Sequence, residues 1–275
     1  MSNQKGFNKT VEDIKKIKIQ GARNIAKAAL RACSMYSEDS CLAHPEALKK
    51  LISARPTEPM LVNTLHNFKK FGYKKTLEHF DSAQSKINQF VFKIIKNKAV
   101  IFTHCHSTNV VTALIKAKKH GKKFEVYNTE TRPLFQGRMT ARELEKAGVK
   151  VTSFIDSAID IALEKKQGTR KVDLIILGAD AILKNGVINK VGSGMIAELA
   201  FLHKIPMYIV ADSWKYSARY VKIEERDFHE VWKRVPKHIK IRNPAFEKIE
   251  RKYVGGIVSE LGILSYREFL RKVKS

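Results

Sequence analysis

Ala99-Val-Ile-Phe-Thr-His-Cys-His-Ser-Thr-Asn-Val-Val-Thr-Ala-Leu-Ile115 is the stretch on which the fold turns. Its apolar opening, 99–102, reads as a buried strand, and 109–115 reads as the start of a helix. Between them, Cys105 stands on a turn flanked by His104 and His106. The same rhythm repeats downstream. Strands near 99–103, 124–128, 149–155, 172–177 and 206–211 alternate with helices near 109–119, 139–147, 157–166 and 191–203. Such alternation predicts an α/β fold with a doubly wound, Rossmann-like parallel sheet and helices on both faces. Five strand ends then deliver polar groups to one edge: Cys105, the 129–132 turn, Asp156, Asp180 and Asp212.

Upstream of residue 98 the apolar period is 3.6. Ala22, Ile25, Ala26, Ala29, Leu30 and Cys33 make one face, and Leu77, Phe80, Ala83, Ile87, Phe90, Val91, Ile94 and Ile95 another. Pro56 and Pro59 forbid one continuous helix through 55–59. The expected organisation is an N-terminal helical domain, 1–98, and a Rossmann-like domain, 99–275. Gly256–Ser259 is a further candidate strand.

The 275 residues are 44% hydrophobic, enough for a real core. No apolar run approaches the ~18 residues of a membrane span, and 1–20 lacks a signal-peptide core. A cytoplasmic protein away from membranes is expected, its three cysteines free thiols in a reducing compartment. Lys and Arg total 52 against 27 acids, a net charge of +25. This field favours anionic partners such as phosphorylated metabolites, or is a lysine-rich solvated surface. No nucleic-acid motif accompanies the lysine runs, so nucleic acid is not expected as a partner.

The turn at Cys105 carries the candidate chemistry. A helix N-terminus, two imidazoles and a basic protein would each lower the thiol pKa and favour a nucleophile or general base. The alternative is a small residue filling a turn. Asp180 follows Gly178-Ala179 and precedes Ile182-Leu183; it is either a carboxyl whose pKa an apolar pocket raises or a helix cap. Asp156 fits a cap better. Gly192-Ser193-Gly194, opening a helix after Asn189-Lys190, offers backbone N–H groups to a phosphate. Arg55 and Arg132, on proline-bounded turns, suit oxyanion binding or surface ion pairs. His104 and His106 find too few companions for a metal site. A dinucleotide cofactor is not expected either, because no Gly-x-Gly-x-x-Gly follows the first strand.

Thr103-His-Cys-His-Ser107, Thr129-Glu-Thr-Arg-Pro133 with Gln136-Gly137, Gly178-Ala-Asp180, Asn185-Gly186 and Asn189-Lys-Val-Gly192 occur in a telling order. Together they resemble the superfamily that joins the regulatory subunits of translation factor 2B, methylthioribose-1-phosphate isomerase and archaeal ribose-1,5-bisphosphate isomerase. The resemblance runs from Ile19-Gln-Gly-Ala22 to Leu261-Gly-Ile263, and His106-Ser107 brings it nearest to the ribose-1,5-bisphosphate enzyme. It implies an aldose–ketose isomerase of nucleotide (AMP) salvage that needs no metal or cofactor, with Cys105 and Asp180 catalytic. It further implies sugar-phosphate binding by Gln20, Gly21, Ala22, Arg55, Gln136, Asn189 and Lys190, a homo-oligomer, and a nucleotide as a possible effector. Gln20 departs from the arginine typical of the family enzymes, with Lys18 or Arg23 near enough to compensate. The alternatives within the resemblance are methylthioribose-1-phosphate isomerase and a non-catalytic subunit that docks on initiation factor 2.

Overall fold

The computed structural model describes residues 2–223 and 225–274; Met1, Glu224 and Ser275, and with them the outermost positions of the two expected domains, lie outside the described residues. Four helices come first: α1 (Ser2–Lys15), α2 (Ala22–Ser34), α3 (Pro45–Ser53) and α4 (Pro59–Ile94). Prolines open α3 and α4, where the missing N–H costs nothing. Gly72, at φ 79°, breaks α4 into two segments. The apolar face read from the sequence of α2 is the face it buries, from Ala22 to Cys33. One expectation fails here. Cys33, at the end of α2, is bonded to Cys41 as a disulfide, so Cys105 is the free thiol among the described residues.

From Ala99 the chain alternates: β1 (Ala99–Thr103), α5 (Thr108–Lys119), β2 (Phe124–Thr129), α6 (Gln136–Lys146), β3 (Lys150–Phe154), α7 (Ile159–Leu163) and β4 (Leu174–Leu177). The helix expected over 157–166 is reduced to α7 and one preceding 3-10 turn. A hairpin that the sequence reading missed follows, β5 (Ala181–Leu183) and β6 (Gly186–Lys190). The chain continues through α8 (Ser193–Leu202), β7 (Met207–Val210), β8 (Phe246–Glu250), β9 (Gly256–Ser259), β10 (Gly262–Leu264) and α9 (Tyr266–Lys272).

Seven strands form the main sheet in the order β10-β9-β7-β4-β1-β2-β3, parallel except for the β9–β10 pair. All five residues of β1 are buried, as a strand covered on both faces requires. The chain leaves β1 toward β2 and β3 on one side and returns through β4, β7 and β9 on the other. The strand order therefore reverses between β1 and β4, where open α/β sheets form their ligand crevice. β5, β6 and β8 make a second, antiparallel sheet beside that crevice.

One sheet face packs Val100, Phe102, Ile175 and Leu177 against α7, α8 and α9. The other packs Ile101, Val126, Leu174 and Ile176 against α5 and against Ile87, Val91 and Ile95 at the end of α4. Helical layer and sheet thus share one core across residue 98.

Candidate active site

A cavity of about 430 Å³ opens at the carboxyl ends of β1 and β4. All nine residues singled out as catalytic or binding line it: Gln20, Gly21, Ala22, Arg55, Cys105, Gln136, Asp180, Asn189 and Lys190. They arrive from six places. Gln20, Gly21 and Ala22 precede or open α2; Arg55 lies on the proline-bounded turn between α3 and α4. Cys105 follows β1, Gln136 opens α6, Asp180 follows β4, and Asn189 and Lys190 end β6. A hydrogen bond from Asp180 N to Ile188 O (2.9 Å) holds the turn after β4 onto the hairpin. Asp180 precedes a strand, β5, and so does not cap a helix. Ile182 and Leu183, read as pocket lining, are core residues of β5.

Cys105 has φ 64°, a left-handed conformation uncommon outside glycine. Thr131 and Thr140 hold it there: Cys105 N donates to Thr131 Oγ1 (3.0 Å) and Thr140 Oγ1 donates to Cys105 O (2.8 Å). The residue keeps some surface toward the cavity. Even so, dense surrounding protein pushes its pKa up to about 11, with Asp180 and Asp156 adding to the rise and Lys190 opposing it. The sequence-based expectation of a lowered pKa is therefore overturned. Burial outweighs every favourable neighbour, and the resting group is a thiol.

The flanking histidines are structural acceptors and donors, not a charge reservoir. His104 is buried, and burial lowers its pKa. Its Nε2 donates to Val191 O (2.9 Å), so Nδ1 accepts from Thr129 Oγ1 in the neutral ring. With both nitrogens used, His104 has no lone pair for a metal. Because Thr140 spends its proton on Cys105 O, His106 Nδ1 donates to Thr140 Oγ1 (3.1 Å). Burial lowers the pKa of His106 as well, against the pull of Glu143.

Two other expectations are corrected. The Gly192–Gly194 turn does open α8, but its donors are taken: Gly192 N and Gly194 N both donate to Glu247 Oε1, at 2.6 and 2.8 Å. A carboxylate of the chain fills the place proposed for phosphate. Asp156 caps no helix; its carboxylate accepts from Thr131 N (2.8 Å) and Arg132 N (2.6 Å), fastening the turn after β2. Arg132 is exposed and points away, its guanidinium 5.0 Å from the Phe135 ring. Of the two groups offered as substitutes for a family arginine, Lys18 is exposed and paired with Asp13, and Arg23 lines the cavity paired with Asp81 at 2.6 Å.

The lining also holds residues the sequence reading passed over, among them Glu58, Glu143, Lys215 and Arg226. Lys215 lies three positions past the strand-end Asp212, which was the available signal. Five cations, Arg23, Arg55, Lys190, Lys215 and Arg226, face three carboxylates, Glu58, Glu143 and Asp180, so the cavity suits an anion. Lys190 and Lys215 are both buried and, among the described residues, neither has a carboxylate partner. A buried ammonium without a counter-ion is costly unless a ligand supplies one.

Residues 11–266 match the model of the initiation factor 2 subunit family, and the chain belongs to that family. It is 33% identical to the ribose 1,5-bisphosphate isomerase of Methanocaldococcus jannaschii over 96% of this chain and 93% of that protein. It is 32% identical to the methylthioribose-1-phosphate isomerase of Heliobacterium modesticaldum, over 94% of this chain and 88% of that protein. Among solved structures, a translation initiation factor eIF-2B of Pyrococcus horikoshii OT3 superposes with a TM-score of 0.82 at 26% identity. That match covers 94% of this chain and 96% of the other.

Proposed function

We propose that this member of the initiation factor 2 subunit family is an aldose–ketose isomerase that converts ribose 1,5-bisphosphate to ribulose 1,5-bisphosphate in nucleotide salvage. The carrying observation is the meeting of Cys105 and Asp180 across the β1/β4 crevice, in a cavity with excess positive charge. The isomerase names of its relatives support the reading.

The groups present close a proton cycle without metal or cofactor. Asp180 gives a proton to the ring oxygen as the C1–O4 bond breaks. Cys105, as thiolate, takes the proton from C2, and the freed electron pair forms the C1–C2 double bond. The enol phosphate accepts that proton back at C1 while its O2 hydroxyl returns a proton to Asp180, leaving the ketone at C2. Because the resting thiol is protonated, turnover draws on a small thiolate fraction that the Lys190 charge enlarges. Arg55, Asn189, Lys190 and Lys215 hold phosphate and hydroxyl oxygens, with Gln20, Gly21, Ala22 and Gln136 completing the walls. The enzyme works in the cytoplasm as a homo-oligomer, its helical domain (residues 1–98) set against an α/β domain (residues 99–275).

Carbon NMR of purified protein with ribose 1,5-bisphosphate tests this: the ketone signal of the ribulose product is expected. Conversion of methylthioribose 1-phosphate instead would give the second reading, which the Heliobacterium relative favours. Binding of either sugar phosphate without conversion would mark a regulatory subunit.

A further inference from the structure

Lys215 reaches the cavity from a side of the molecule that the proton cycle does not use. Its ammonium donates to Ala179 O at 2.6 Å, one residue before Asp180, and this is its one hydrogen bond among the described residues. Two N–H bonds remain for a bound oxygen. A lysine stem has four rotatable carbons, so its aim depends on how firmly its backbone is held.

That backbone is a short turn, Ser213–Lys215, gripped from three elements. Asp212, 2% exposed at the end of β7, accepts from Trp214 N at 2.9 Å. Glu260, on the β9–β10 turn, accepts from Ser213 N at 3.0 Å and from Ser213 Oγ. His79 of α4 lies 3.1 Å from both Asp212 oxygens and stacks on the Trp214 ring at 3.6 Å, 3° from parallel. Asn63, also on α4, donates to Trp214 O (2.6 Å) and Tyr216 O (2.9 Å). Two carboxylates and an imidazole lie within 4.8 Å of one another here. Burial and the Asp212 charge raise the Glu260 pKa, the mark of a cluster maintained against an electrostatic cost.

We propose that His79, Asp212 and Glu260 are positioning residues that fix the reach of Lys215 into the active-site cavity from behind. The inference rests on the cavity being the site of sugar-phosphate binding. It makes α4 of the helical layer part of the site without lending it a contact to substrate.

The test is a double-mutant cycle. Asp212→Asn and Glu260→Gln keep shape, and each is made alone and together with Lys215→Met. Each single variant is expected to raise KM for ribose 1,5-bisphosphate about tenfold with kcat changed less than about threefold. Added to Lys215→Met, each should cost less than about twofold more, because the residue they act through is gone. A second readout needs no turnover: acetylation of Lys215 by acetic anhydride, followed by peptide mass spectrometry, should quicken at least about threefold in the single variants. If Asp212→Asn does not fold, His79→Gln takes its place in both measurements. Full persistence of the single-variant losses over Lys215→Met, or unchanged Lys215 labelling, would overturn the proposal. If the wild type converts no sugar phosphate, the proposed function fails, and the labelling result alone still decides the positioning role.

Discussion

At the start of α5, the Ser107 hydroxyl caps nothing; it is buried with no hydrogen-bond partner among the described residues, and the residue lines the cavity. At the start of α8, on the same edge of the sheet, the amides of Gly192 and Gly194 converge on Glu247. Both helix starts have the chemistry of an anion site, and the glycine-rich one looks the stronger in sequence. It is the one already satisfied. A helix N-terminus attracts a ligand only to the extent that the chain has not supplied its own anion, and that anion can come from anywhere in the sequence.

The sharpest break of this contrast is at the α5 edge, where chemistry is assigned. Cys105→Ser and Asp180→Asn should each lower turnover by at least ~10²-fold, the low end for a general acid or base. Substrate affinity should stay within about tenfold by calorimetry. Loss of affinity with turnover retained would move both residues from proton transfer to binding. The same edge has a pH signature. Alkylation of Cys105 by iodoacetamide should quicken about tenfold per pH unit from pH 7 to 10, since thiolate accumulates up to a pKa of about 11. A plateau near pH 8 would mean an ordinary thiol.

The next largest effects set the two helix starts against each other. Ser107→Ala should weaken sugar-phosphate binding about tenfold, the worth of one hydrogen bond to a charged group, and leave thermal stability alone because it breaks no existing bond. Glu247→Gln should do the reverse, lowering stability by about 1 kcal/mol through lost charge at the α8 start while affinity holds. Were Glu247→Gln to change affinity tenfold and Ser107→Ala nothing, the two roles would have to be exchanged. The smallest effect belongs to Gln20→Arg, expected to tighten binding a few-fold by adding a charge-assisted partner for phosphate. Calorimetry that finds no gain would mean that Arg55, Lys190 or Lys215 already serves that phosphate.

The regions legible in the sequence were those whose cause is local. Strands buried on both faces must be continuous apolar runs, so β1, β4 and β7 announced themselves, and with them the edge that gathers Cys105 and Asp180. The β5–β6–β8 sheet was not legible: β5 is three residues long, and β8 pairs with β6 from far along the chain. Glu247 lies 55 residues from Gly192, so no local pattern links them. The Cys33–Cys41 spacing said nothing of pairing. For Cys105 the sequence displayed the neighbouring charges and hid the burial, and burial decides the pKa.

The end of α4 has a consequence for anyone who would divide the molecule. Ile87, Val91 and Ile95 lie in one cluster with Ile101, Val110, Val126, Ile176 and Val258. Residue 98 is therefore punctuation in the sequence, and the two sides meet there in one shared core. A fragment beginning at Ala99 would keep every strand and most of the candidate site, yet present to water the apolar surface that Ile87, Val91 and Ile95 cover. It would be expected to aggregate before it could bind anything.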